Sequence, residues 1–248
     1  MVPSVLPEES SQGDVFDGTP RLRGLTLSHN PVELPLSMPR TTLLSAKLYG
    51  IVDLGYAAPS ALIRVTAEMI EGGIDVIQLR AKGHSEDDVR TWAETLLPIC
   101  REAGVPFIVN DHAVLAAAIG ADGVHVGQDD ASMDEVRAIV GNEMLVGRST
   151  HSLDQADAAA ADPRTDCIGF GPLFATPTKP TYTPIGTAEI RAIHERHPDL
   201  PIFCIGGIKQ DHLPALVEAG AKRVVIVSGI LQAPDIAAYV RAARSLLP

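Results

Sequence analysis

The sequence predicts a (β/α)8 barrel, the TIM-barrel α/β fold, built as a single domain behind an irregular N-terminal arm. Three observations carry that prediction. From Lys47 onward, short β-branched runs alternate with Ala/Leu-rich amphipathic stretches, the pattern of parallel βα units. The short runs are apolar on both faces, as a sheet covered by helices requires. Eight such units fit into about 200 residues, the small end of the range for this barrel.

The elements follow in order. Strands are expected at 48–53 (LYGIVD), 74–80 (IDVIQLR), 106–110 (PFIVN) and 123–126 (GVHV). Four more are expected at 144–148 (MLVGR), 166–171 (DCIGFG), 201–205 (PIFCI) and 223–228 (RVVIVS). Helical stretches lie between them, near 59–71, 86–103, 112–119, 132–140, 153–161, 187–196, 210–219 and 234–246. Ser60 and Ser85 are N-cap candidates, and Pro234 sits near the start of the last helix. Gly72, Gly104, Gly120, Gly141 and Gly220 follow helical runs, as terminating glycines do. A doubly wound open sheet is the competing fold. No strand leads into a GxGxxG turn, and GFGP at 169–172 is not that fingerprint, so its dinucleotide-binding form has no support.

Residues 1–46 differ in texture. They hold six prolines and no sustained apolar period, so they read as a largely disordered extension ahead of a catalytic domain at 47–248. Composition narrows the function classes. A net charge of -11 makes nucleic acid a poor partner and requires any positive charge for an anionic substrate to be placed locally. No apolar run approaches the roughly 20 residues that span a bilayer. Acidic residues at Glu8, Glu9, Asp14 and Asp17 argue against a signal or transit peptide. Cys100, Cys167 and Cys204 lie in apolar stretches with no CxxC pair, which reads as buried thiols in a reducing cytoplasm.

A barrel of this kind does its chemistry at the C-terminal ends of its strands. Strand 2 runs out through Gln78, Arg80 and Lys82, which share a face if the chain stays extended. Strand 3 ends in Asn110-Asp111 and strand 4 in Gln128-Asp129-Asp130. Strand 5 ends in Ser149-Thr150-His151, and strand 6 leads to Thr176, Thr178 and Lys179. Strands 7 and 8 end in Gly206-Gly207 and Ser228-Gly229. The last two turns suit a phosphate cup, or are plain tight turns. Asp111 and Asp130 suit Mg²⁺, which takes one or two carboxylates plus substrate oxygens, or each caps its following helix. Arg80, Lys82 and Lys179 would bring three cations to one rim of an acidic protein. His125 falls mid-strand and reads as a barrel-interior residue, and Cys167 and Cys204 as inert. His194 and His197 lack the HExxH spacing for zinc.

These motifs also carry a resemblance. QLRAK (78–82), ND (110–111), GVHVGQDD (123–130), GRSTH (147–151), GPLFATPTK (171–179), IGGI (205–208) and VSGI (227–230) resemble the thiamine-phosphate synthase (thiamine-phosphate pyrophosphorylase) family, over about residues 47–248 and in the family's order. The resemblance implies coupling of 4-amino-2-methyl-5-(diphosphomethyl)pyrimidine to 4-methyl-5-(2-phosphoethyl)thiazole, with loss of diphosphate before the thiazole nitrogen traps the pyrimidine-methyl cation. It implies that Gln78, Arg80, Lys82, Asn110, Ser149 and Lys179 bind the pyrimidine diphosphate, with Arg80, Ser149 and Lys179 as the catalytic groups. It implies that Thr176, Thr178, Gly207, Val227 and Ser228 bind the thiazole phosphate, and that Asp111 and Asp130 hold Mg²⁺. The implied partners are these small molecules, with no nucleic acid and no membrane, and a homo-oligomer is left open. The chain departs from the family at His112, commonly Arg there, in the loop 180–186 (PTYTPIG), and in its arm. Alternatives are the related thiazole tautomerase, in which His151 would act as acid and base, a non-catalytic phosphate-binding barrel, and a sugar-phosphate isomerase. The first two do not require the paired aspartates; the last accounts for the glycine turns alone.

Overall fold

A computed structural model describes residues 41–176 and 182–248 of the chain. Residues 1–40, and with them most of the N-terminal arm, lie outside the described residues, as do Thr178 and Lys179. Eight parallel strands close into a barrel in chain order. They are β1 (Leu48–Asp53), β2 (Val76–Arg80), β3 (Phe107–Asn110), β4 (Gly123–Val126), β5 (Leu145–Thr150), β6 (Cys167–Phe170), β7 (Ile202–Cys204) and β8 (Val224–Ile226). β8 returns to pair with β1, so no strand edge is left open. The helices are α1 (Thr41–Ser45), α2 (Leu62–Glu71), α3 (Glu86–Glu102), α4 (Ala113–Ile119), α5 (Met133–Val140), α6 (Leu153–Ala161), α7 (Ile190–Arg196), α8 (Leu213–Glu218), α9 (Ser228–Leu231) and α10 (Ile236–Ser245).

The predicted strands and helices are all present, most with the same or shorter bounds, while β5 runs two residues further, to Thr150. Ser85 caps α3 as expected, accepting the Asp88 N–H. Ser60 does not cap α2, because it lies inside a 3-10 turn (Pro59–Ala61) that precedes that helix. Gly72 ends α2 in the right-handed conformation, and Gly73 makes the left-handed turn instead. α9 is a short extra helix where the sequence showed only the glycine turn after strand 8.

Strand alternation splits the apolar residues into two populations. Outward residues such as Leu48 and Val52 of β1 pack under the helices in the larger core. Inward residues fill the lower barrel: Tyr49 and Ile51, Val76, Ile108, Leu145, Cys167, Phe203 and Val225. Leu43 and Ala46 join this inner cluster, with Leu43 only 1% exposed. α1, on the arm side of the Lys47 boundary, is thus the floor of the barrel. Its five residues (TTLLS) are too few for an apolar period to show in the sequence.

Acidic residues just before the even strands lace the lower end together. Asp75 accepts the N–H groups of Lys47 and Leu48, Asp122 that of Phe107, and Asp166 that of Val146. Each pins the start of the preceding odd strand, where a first N–H would otherwise go unmade. At the fourth such position Arg223 replaces the acid, and its guanidinium donates to the Leu44 carbonyl at 2.6 Å. The floor helix is thereby tied to β8.

His194, on the buried side of α7, is 4% exposed. Burial, aided by the charges of Lys222 and Arg223, pushes its imidazole down to about 4. In the unfolded chain it takes up a proton near pH 6.5. The unfolded state thus binds more protons between those values, and stability present above pH 6.5 is lost as pH falls toward 4. The loss attributable to His194 is about 3 kcal/mol, by order of magnitude. Urea unfolding at pH 7 and pH 4 is expected to show a shallower pH dependence in His194→Leu than in the parent chain.

Candidate active site

One cavity opens at the C-terminal end of the barrel and reaches down between the strands. Its floor is apolar. Tyr49 and Phe203 meet edge to face, with ring centroids 5.3 Å apart, and Ile51, Cys167 and Val225 complete the layer. Burial pushes the Tyr49 phenol well above its ordinary range, so it stays protonated. The polar groups begin one strand step higher, because the side chains facing inward recur every second residue.

On β2, Gln78 is 2% exposed and donates through its amide to the Tyr49 hydroxyl at 2.7 Å. Two residues on, Arg80 donates to Asp53 of β1 at 2.7 Å. Asn110 of β3 lines the same wall. On the opposite side, His125 Nε2 lies 3.0 Å from the Ser149 hydroxyl, and Gln128 donates to the Ser149 carbonyl at 2.5 Å. His125 is the interior residue the sequence indicated. His151 is bonded through Nδ1 to the Gly171 carbonyl at 2.5 Å, which makes Nδ1 the protonated nitrogen. Its ring lies against Tyr182 with centroids 4.3 Å apart, and the Tyr182 hydroxyl is 3.5 Å from Asp129.

The rim above β2, β3 and β4 carries a charged cluster. Lys82 Nζ is 2.5 Å from Asp111 and 3.7 Å from Asp130. Asp130 also accepts the Gly127 N–H at 2.7 Å. Asp111 holds a left-handed backbone with φ of 67°, the only such non-glycine among the described residues. That conformation is disfavoured for a residue with a Cβ and marks a position set by its surroundings. Burial raises the Asp111 carboxyl; Lys82 pulls it back, and the neighbouring Asp130 pushes it up again. Burial pulls the Lys82 ammonium down, but Asp111 and then Asp130 outweigh it and the net shift is upward, so it stays charged. Among the described residues no three His, Cys, Asp or Glu side chains gather as a metal cage. Two neighbouring hard carboxylates at the ends of β3 and β4 nonetheless fit Mg²⁺, whose remaining positions are commonly filled by water and substrate oxygens.

The far side of the cavity is built from β7, β8 and the loop after β6. Gly207 has φ of 65°, and a Cβ there would lie 2.6 Å from the Ala175 carbonyl. Only glycine lets the β7 turn fit under that loop. Thr176, Gly207, Val227 and Ser228 face the cavity together.

Of the predicted site residues, Gln78, Arg80, Asn110, Ser149, Thr176, Gly207, Val227 and Ser228 line this one cavity. Lys82, Asp111 and Asp130 form the cluster at its rim. Thr178 and Lys179 lie outside the described residues. Tyr49 and Asp53 have no counterpart among the residues expected from sequence, because LYGIVD reads as a continuous apolar run. Alternation along LYGIVD places both on the inward face with Ile51.

Comparison with known proteins places this geometry in context. The family described as Thiamine monophosphate synthase matches residues 48–230. The chain is 45% identical over 209 residues to the thiamine-phosphate synthase of Pelotomaculum thermopropionicum, covering 83% of this chain and 94% of that one. It is 40% identical over 193 residues to the thiamine-phosphate synthase of Thermus thermophilus, covering 78% and 92%. Among solved structures it is similar to the thiamine phosphate pyrophosphorylase of Pyrococcus furiosus, with a TM-score of 0.73, 27% identity, and coverage of 84% and 96%.

The raised carboxyl of Asp111 opposes an ionised aspartate there. Asn keeps the shape, tolerates the backbone and carries no charge. Asp111→Asn is expected to raise stability at pH 7 by about 1 kcal/mol, read as a higher thermal midpoint, while Mn²⁺ binding followed by paramagnetic relaxation weakens. A lower midpoint would show that the pairing with Lys82 outweighs burial.

Proposed function

The chain belongs to the thiamine monophosphate synthase family, and from that premise we propose that its cavity joins the pyrimidine-methyl diphosphate to the thiazole phosphate, releasing diphosphate and forming thiamine phosphate. It is thus an enzyme, a transferase. One observation carries the reading. The cavity has anion-suited groups at two separate places: Arg80 with the Lys82 rim on the β2–β4 side, and Gly207, Val227 and Ser228 on the β7–β8 side. An apolar floor lies between them. Two phosphate-bearing substrates need that layout, and a single phosphorylated ligand does not.

In this reading Gln78 and Asn110 hold the pyrimidine, and the cations at Arg80 and Lys82 hold its diphosphate. Their charge matters most as the C–O bond breaks, when negative charge grows on the leaving group. Ser149, its hydroxyl set by His125, stands on the wall opposite Arg80 and contacts the same substrate. Thr176 and Thr178 are assigned to the thiazole phosphate, and Lys179 to the pyrimidine diphosphate as a catalytic group. The glycine turn at Gly207, with Val227 and Ser228, receives the thiazole phosphate through backbone N–H groups. Asp111 and Asp130 would hold Mg²⁺, which when bound supplies further positive charge to the diphosphate. The closed floor keeps water from the electron-poor carbon while the thiazole nitrogen attacks. No strong base is needed, because no proton is removed in bond making. Positioning of the two substrates supplies much of the rate. Three free, buried cysteines support placing the enzyme in a reducing cytoplasm.

The test is to mix the protein, both substrates and Mg²⁺ and to quantify thiamine phosphate and diphosphate. Product in one-to-one ratio, abolished by EDTA and restored by Mg²⁺, is expected. Asp130→Ala is expected to raise the Mg²⁺ concentration needed for half-maximal rate by at least about tenfold. Binding of the thiazole phosphate without any coupled product would favour a tautomerase or a binding protein instead.

A further inference from the structure

β1 supplies none of the ligands the family resemblance implies, yet it carries a carboxylate at the cavity wall that is only 2% exposed. We propose that Asp53 is a positioning residue for the transfer, fixing the Arg80 guanidinium in the orientation that receives the diphosphate. The proposal rests on the reading of Arg80 as a diphosphate ligand.

The two residues face one another in the β1–β2 register. Asp53 Oδ2 accepts from Arg80 Nη1 at 2.7 Å, and among the described residues it is the only acceptor for that guanidinium. The carboxylate is itself held. Its Oδ1 accepts the Gly55 N–H at 2.8 Å, and its backbone carbonyl accepts from both Tyr56 and Ala57 at 2.9 Å. The same turn reaches back to β2, where the Leu54 N–H donates to the Arg80 carbonyl at 3.0 Å. Backbone and side chain of Arg80 are thus clamped by one turn. A guanidinium has five donors in a rigid fork, so fixing one amino group directs the rest. The ordering of a long, rotamer-rich side chain is then complete before substrate arrives.

Electrostatics alone argues the opposite way, which makes the proposal sharp. A carboxylate beside a diphosphate site repels the ligand, so removing its charge without disturbing Arg80 would tighten binding. Positioning requires that binding weaken instead.

The experiment compares Asp53→Asn, Asp53→Ala, Arg80→Ala and the double Asp53→Ala/Arg80→Ala in the full chain. KM for each substrate and kcat are measured, with thermal midpoints to establish folding. Asp53→Asn, of the same shape, keeps the test alive if Asp53→Ala does not fold. Asp53→Asn is expected to raise KM for the pyrimidine diphosphate about tenfold, the scale of losing one pre-ordered side chain. KM for the thiazole phosphate should not move. In the Arg80→Ala background, Asp53→Ala should add almost nothing, because its effect passes through Arg80. An unchanged or lower KM for the pyrimidine diphosphate, a parallel rise in both KM values, or a full additive effect in the double variant would overturn the proposal and leave the role of Arg80 standing. If Arg80→Ala itself leaves that KM unchanged, the ligand reading of Arg80 fails, and the role of Asp53 with it.

Discussion

Closure of the sheet is the constraint on which the rest depends. In a closed barrel every second residue of every strand points into one shared interior, with nowhere else to go. The lower interior is filled by large apolar groups, down to Leu43 from the floor helix. Higher up, the inward positions of β5 and β6 are Gly147 and Gly169. A Cβ on Gly147 would lie 2.4 Å from His125 Nδ1, so the histidine ring occupies space that a side chain would need. The absent side chain at Gly169, and polar ones on the other wall, turn a packed core into a cavity.

The same closure sets the electrostatics. The chain is strongly acidic, yet Arg80 and Lys82 stand where an anion would enter. Each is held by carboxylates: Asp53 below, and Asp111 with Asp130 above. The Arg80–Asp53 bond is shielded from water and so stronger than a surface pair, whereas Lys82 is half exposed. Their arrangement is layered. Asp53 is deeply buried and fixed by a turn, which suits a permanent support. Asp111 and Asp130 sit at the rim, where a metal would compete with Lys82 for the two carboxylates. Asp111 adds a left-handed backbone, the only one on a non-glycine among the described residues.

The barrel was legible in the sequence because alternation of apolar strands and amphipathic helices is a long, repeated signal. The polar strand ends were legible for the same reason: a barrel has a known working face. What escaped reading was short or indirect. TTLLS is one helical turn and shows no period, so the floor helix merged with the arm. Asp53 closes a run of apolar residues and looks like the start of a turn, which it also is. Its second role needs the partner on β2, and pairing register is not written in either strand alone. The acids before β2, β4 and β6 repeat, but each is a single residue whose partner is a backbone N–H on another strand. Tyr182 belongs to the departing loop 180–186, and its ring contact with His151, which lines the cavity, is announced by no motif.

If the cavity is where the substrates meet, filling it without straining the fold must stop the reaction. Gly169 allows that test. A Cβ there meets His125 and Ile205 at 3.7 Å, ordinary contact distances, and its backbone is compatible with other residues. The measurement is kcat/KM for coupling in Gly169→Ala and Gly169→Val, beside their thermal midpoints. The expected result is a stepwise fall with side-chain volume, by roughly a hundredfold or more for valine (about 3 kcal/mol of lost transition-state stabilisation), at a nearly unchanged midpoint. Full activity in a folded Gly169→Val would place the reaction outside the barrel interior.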